Sequence, residues 1–140
     1  MSARQAGFTL IELIAVIVIL GILSATALPK FIDLAREARI AKLDAAVGAM
    51  NSAASMTYGK FLVNPVSPQL FEGSTVTFLY GYPDAASIAD VAGLLAPDYI
   101  TSVAGGVMTV SVTTDCTATY TQAASAILPP VIEVGTITGC

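Results

Sequence analysis

Apolar positions along this chain follow two regimes, one continuous and one periodic. Phe8 to Leu28 is a run of 21 residues broken by a single charge, Glu12. At about 1.5 Å per residue a helix over that run spans roughly 31 Å, close to the hydrocarbon thickness of a bilayer. From Lys30 the pattern turns amphipathic. Ile40, Leu43, Val47, Met50 and Ala54 recur at spacings of three and four, the stripe of a helix packed on a domain. Ala38, Ala41, Ala45, Ala49 and Ala53 line an adjoining stripe. Small side chains there would admit a second helix, and alanine is also the best helix former. Gly59 reads as the stop. A helix from Phe8 to Tyr58 is about 51 residues and roughly 75 Å long, which on so short a chain demands partners along its length.

Beyond Gly59 the helical period gives way to punctuation and alternation. Asn64-Pro65 and Ser67-Pro68 mark a loop. Ser74–Tyr80 reads as one strand with Val76, Phe78 and Tyr80 on a common face, followed by a turn at Gly81-Tyr82-Pro83-Asp84. Ile88, Val91 and Leu95 predict a short helix over Ala86–Leu95, ending before Pro97. Gly105-Gly106 opens a strand over Val107–Thr113, Asp115 turns the chain, and Cys116–Gln122 returns it. Pro129-Pro130 interrupts, and Val131–Thr138 is the last strand. The fold class is α+β: a long N-terminal helix packed on a small antiparallel sheet.

Composition sharpens this picture. The chain is 55% hydrophobic and only 11% charged, which implies a membrane phase or burial against other copies. Its charges are segregated: residues 1–29 sum to zero, 30–60 to +2 and 61–140 to −6. The basic residues Lys30, Arg36, Arg39, Lys42 and Lys60 precede a domain with no Lys or Arg. They suit a cytoplasmic membrane surface or a solvated helix equally. An acidic half without cations argues against nucleic acid as a partner. With no histidine and no metal-type cysteine spacing, nothing indicates a cofactor, a catalytic residue or an enzyme. Asp84, Asp90 and Asp98 do not have the spacing of a calcium loop and read as surface acids, with a weak calcium site the other possibility. Tyr82 and Tyr99 read as packing beside turns or as an adhesive surface. Cys116 and Cys140 form one disulfide in an oxidising compartment or remain two buried thiols. A bridge closing about 25 residues stabilises by roughly 3.5 kcal/mol.

Glu12 fits neither a signal peptide nor a plain membrane anchor. A carboxylate inside an apolar span costs on the order of 2–3 kcal/mol at mid-bilayer and is kept for a purpose. No cation lies nearby in sequence, but a cut between Gly7 and Phe8 creates an α-amine four residues away. Within one helix that amine points elsewhere. A neighbouring subunit shifted along the axis can present its own, so pairing would set the register of a polymer. Pro29, with Gly21 upstream, should loosen or kink the helix near Ala25.

Gly7-Phe8-Thr9-Leu10-Ile11-Glu12-Leu13-Ile14, followed by the Ile/Val/Leu run with Gly21 and Pro29, resembles the N-terminal signature of type IV pilins. The resemblance covers about Arg4 to Leu34. It implies a leader of residues 1–7 removed by a prepilin peptidase, N-methylation of Phe8, and Glu12 as the assembly glutamate. It further implies a membrane and filament-core helix over 8–29, its amphipathic continuation over 30–60, and a β-rich head over 61–140. Local melting of Gly21–Pro29 in the filament also follows from it. The partners implied are further copies in a homopolymer, the peptidase, and separate platform and motor proteins. The precursor would sit in the inner membrane and the product outside the cell, serving adhesion or motility. Arg4-Gln5-Ala6-Gly7-Phe8, Pro29–Leu34 and Gly81-Tyr82-Pro83 are similar to mannose-sensitive haemagglutinin pilins. A pseudopilin or minor pilin, and a membrane-anchored binding domain, are the competing readings.

Overall fold

The computed structural model describes residues 8–140. The chain divides into two compact units, one ending at Arg36 and one from Glu37 to Cys140. A single helix, α1 (Leu10–Val63), contributes 54 residues to them. It is followed by β1 (Gln69–Phe71), β2 (Ser74–Val76), β3 (Phe78–Leu79), β4 (Tyr82–Pro83), α2 (Ile88–Val91), β5 (Ile100–Ala104), β6 (Val107–Thr113), β7 (Cys116–Thr121) and β8 (Val131–Val134).

The first unit is the apolar run in helical form. Its large side chains are exposed throughout, from Phe8 at 89% to Leu28 at 62%. The helix continues through Pro29, so the stretch Gly21–Pro29 expected to loosen is helical in the single chain. Proline removes one backbone bond, and the turns on either side carry the segment across that gap. Nearby, the Thr26 hydroxyl donates to the Leu23 carbonyl at 2.9 Å.

In the second unit α1 lays Leu43, Ala46, Met50, Ala53 and Ala54 against the sheet, meeting Met108, Val110, Ala118 and Tyr120. This is the amphipathic stripe expected from the spacing, with Ala46 added and Ile40 and Val47 at its margin. Of the alanine stripe only Ala53 is fully buried, while Ala38, Ala41 and Ala45 stay exposed. The main sheet runs β5-β6-β7-β8, antiparallel throughout, with two separate two-stranded hairpins, β1-β2 and β3-β4.

Several sequence expectations need correction. Gly59 does not stop α1, which runs one turn further to Val63. Tyr58 stacks on Tyr82 at 4.5 Å between centroids and Phe61 meets Phe78 at 5.3 Å. Those contacts outweigh a helical glycine's deficit of about 1 kcal/mol. Ser74–Tyr80 is not one strand but two, broken at Thr77, whose N–H bonds to Ser87 Oγ and whose carbonyl accepts from Asp84. Tyr80 (φ 56°) and Gly81 (φ 92°) form a two-residue turn between β3 and β4, so the turn begins before the expected Gly81–Asp84. Gly81 also lacks room for a side chain, since a Cβ would lie 3.0 Å from the Tyr58 ring. The helix expected over Ala86–Leu95 shrinks to Ile88–Val91, because Gly93 takes φ 68° and turns the chain away. Three strands were not expected: β1 inside the loop, β4 inside the turn at Gly81–Asp84, and β5, joined to β6 by the Gly105-Gly106 turn. The last strand ends at Val134 rather than Thr138, although Gly135 and Thr136 still bond to Thr117.

Tyr120 pins the head together. Its ring is fully buried and its hydroxyl donates to the Pro83 carbonyl at 2.7 Å, tying β7 to β4. Burial, and secondarily the charges of Asp84 and Tyr82, raise its pKa well above the ordinary 10.0. A group that holds its proton more tightly when folded contributes stability below its unfolded pKa and loses it as pH rises above that value. Stability of the head should therefore fall above about pH 10, by up to about 1.4 kcal/mol per unit for this group. Replacing Tyr120 by Phe should cost about 1–3 kcal/mol at neutral pH and flatten that alkaline limb, read by denaturant unfolding across pH.

Cys116 and Cys140 are joined as a disulfide with Cα atoms 4.9 Å apart. Reduction should lower the head's stability by roughly 3.5 kcal/mol on the chain-entropy account. Thermal unfolding with and without reductant measures this; unchanged melting would remove the bridge from the stability argument.

Candidate functional site

The start of α1 is a capping box. Thr9 precedes the first helical residue, and its N–H donates to Glu12 Oε2 at 2.9 Å while its hydroxyl donates to the same oxygen at 2.7 Å. In return the Glu12 N–H bonds to Thr9 Oγ1 at 3.3 Å. The pair reciprocally satisfies donors that a helix start leaves without partners, and an acid there also complements the helix dipole. The Thr-x-x-Glu pattern that makes this cap is present in the sequence. Glu12 thus has a polar partner inside its own chain. What it lacks, among the described residues, is a positive charge.

The Thr9 N–H belongs to the peptide bond with Phe8, so the capping box does not involve the bond between Gly7 and Phe8. Phe8 is 89% exposed. Gly7 lies outside the described residues. Gly21 has open space around its α-carbon, and Pro29 lies within α1.

Elsewhere the candidate groups serve packing. Tyr82 stacks on Tyr58, and Tyr99 donates to the Lys42 carbonyl at 3.1 Å beneath the Lys42 ammonium, 4.8 Å from its ring. Three of the five basic residues in 30–60 make contacts within the second unit. Arg39 donates to the Cys140 carbonyl at 2.9 Å, Lys42 pairs with Asp98 at 3.4 Å, and Lys60 bonds to the Leu70 carbonyl. Asp84 accepts from the Ser87 N–H at 2.8 Å. Asp84, Asp90 and Asp98 do not gather, and among the described residues no group of three potential metal ligands occurs.

An apolar helix of membrane-spanning length, capped by Thr9 and Glu12, continues into a disulfide-bonded α+β unit. Residues 2–28 match the prokaryotic N-terminal methylation motif. The chain is 46% identical over 68 residues to the type IV narrow pilus major component PilA5 of Thermus thermophilus, covering 49% of this chain and 59% of that protein. It is 37% identical over 67 residues to two fimbrial proteins of Pseudomonas aeruginosa, covering 46% of this chain and 44% of each. Over its matched half the chain is homologous to type IV pilins, and it spans about half the length of these curated relatives. No solved structure matches it.

Changing Thr9 to Ala should fray the first turn of α1 without disturbing the head. Amide exchange of the detergent-solubilised full chain would show faster exchange confined to Leu10–Leu13, and unchanged rates there would dismiss the cap.

Proposed function

We propose that this chain is a type IV pilin precursor, the repeating structural subunit of an extracellular filament. The observation that carries this reading is the first unit of α1, whose apolar side chains are exposed along its whole length. Such a surface requires lipid before assembly and other copies of the same helix afterwards. The methylation motif over residues 2–28 and the homology to pilus subunits support the same conclusion.

In this reading a prepilin peptidase cuts between Gly7 and Phe8, and Phe8 is N-methylated. The capping box makes the waiting subunit tolerable in the membrane by giving the Glu12 carboxylate two internal donors. Charge neutralisation comes on assembly, when Glu12 meets the amine of a neighbour's Phe8 in a desolvated pair. Copies with unpaired glutamates are excluded from the bundle, so the interaction sets register. Gly21 and Pro29 are where α1 yields in the packed filament, although it is helical in the single chain. Platform and motor proteins drive assembly from the inner membrane. The wording of Arg4–Phe8, Pro29–Leu34 and Gly81-Tyr82-Pro83 supports a mannose-sensitive haemagglutinin type of pilin with a role in adhesion or motility.

Protein sheared from the cell surface should begin at methylated Phe8, by intact mass and N-terminal sequencing. A chain retained in the membrane with residues 1–7 attached would be an anchor instead. Glu12→Ala should be processed normally yet give no filaments by electron microscopy. Abundant filaments from that variant would end the pairing argument.

A further inference from the structure

The four-stranded sheet has two edges, and only one is guarded. At β8, Pro129-Pro130 precede the strand and Glu133 sits within it, both of which discourage pairing with another chain. At β5, Ile100–Ala104 has no charge, no proline and no bulge, and its register with β6 is regular from Ile100↔Ser111 to Ala104↔Val107. All five residues are exposed, Ile100 at 68% and Val103 at 51%. Residues 99–114 hold no charge, in a second unit otherwise rich in acids.

Backbone alternation says which groups are free. The two-residue Gly105-Gly106 turn makes Ala104 and Val107 a hydrogen-bonded pair, so Ile100, Ser102 and Ala104 bond inward to β6. Thr101 and Val103 then direct their N–H and C=O groups outward. Their cross-strand partners Val110 and Met108 are fully buried, yet Thr101 and Val103 are exposed. The strand therefore overhangs the core on the face where its neighbours are covered.

We propose that β5 is a self-pairing edge, taken by β5 of a second copy in antiparallel alignment about a two-fold axis at Ser102. The register follows from the free groups: Thr101 and Val103 of each chain exchange both backbone bonds with Val103 and Thr101 of the other. Ser102 faces its own counterpart at the axis, and each Ile100 faces an Ala104. β-Branched residues thus oppose each other on the uncovered core-side face, a favourable cross-strand pairing. A second copy is the fitting occupant because antiparallel self-pairing is isologous, needing no other complementary surface. The uncharged edge also lets two acidic units approach without like charges facing each other. A polar helical filament contains no such two-fold axis. If the polymer of the preceding subsection forms, this edge joins separate fibres rather than neighbours within one.

The test uses purified full-length chain in mild detergent, which does not depend on filament formation. Ser102→Cys should yield a disulfide-linked dimer under mild oxidation, because facing residues at a non-hydrogen-bonded site bring their Cα atoms within bridging distance. Thr101→Cys should stay monomeric, its two copies being displaced diagonally across the axis beyond that reach. Adding Val103→Lys to Ser102→Cys should abolish the cross-link while far-ultraviolet circular dichroism stays unchanged. Absence of the Ser102→Cys dimer, equal cross-linking of Thr101→Cys, or survival of the dimer with Val103→Lys would each overturn the proposal.

Discussion

The uncovered apolar surface of the first unit is the constraint on which the rest depends. A soluble fold buries such residues in its own core, but Leu10 to Leu28 are largely exposed among the described residues. Lipid or other helices must supply it, and a bilayer supplies it only where polar groups are few and satisfied. This places a premium on Glu12. Its bonds to Thr9 meet the local hydrogen-bonding demand without neutralising the charge.

The second unit solves a different problem, making a stable body from few residues. Its core is a helix face against a four-stranded sheet, with Tyr120 reaching across to Pro83 and the disulfide closing the C-terminal strands. Small bodies of this kind lean on staples because their cores are limited. Here the staples also include cations from α1. Arg39, Lys42 and Lys60 each bond to a distant part of the unit, and Lys42 and Lys60 also lie over the rings of Tyr99 and Phe71. The charge segregation visible in the sequence is thus partly an internal arrangement. The helix carries the cations, and the β-rich half offers carbonyls, a carboxylate and aromatic faces.

Legibility varied with the range of the determining interaction. The buried stripe of α1 was plain, because Leu43, Met50 and Ala54 repeat with the helical period. β6 and β7 were recognisable from their Thr/Val alternation and the turn at Asp115. The strand break at Thr77 was not, since it depends on Ser87 and Asp84, residues distant enough to meet Thr77 only after folding. β5 was overlooked because Ile100–Ala104 alternates weakly and owes its strand form to pairing with β6. The Thr9–Glu12 box is local and has the sequence form Thr-x-x-Glu, so it was legible in principle. The need of a carboxylate in an apolar span for a cation outweighed it in the sequence reading.

By itself the sequence determined whatever follows from local period and composition. That covers the membrane-length helix, its amphipathic continuation, the placement of charge, the methylation motif and the α+β class. Tertiary structure decided what needs groups far apart in the chain. It carried α1 past Gly59 through the Tyr58–Tyr82 and Phe61–Phe78 contacts, turned two tyrosines and three cations to packing, and left one sheet edge guarded and the other bare. The division has a physical cause. Helical periodicity and hydropathy are properties of neighbouring residues, whereas strand pairing and side-chain partners exist only once loops have closed and distant groups meet.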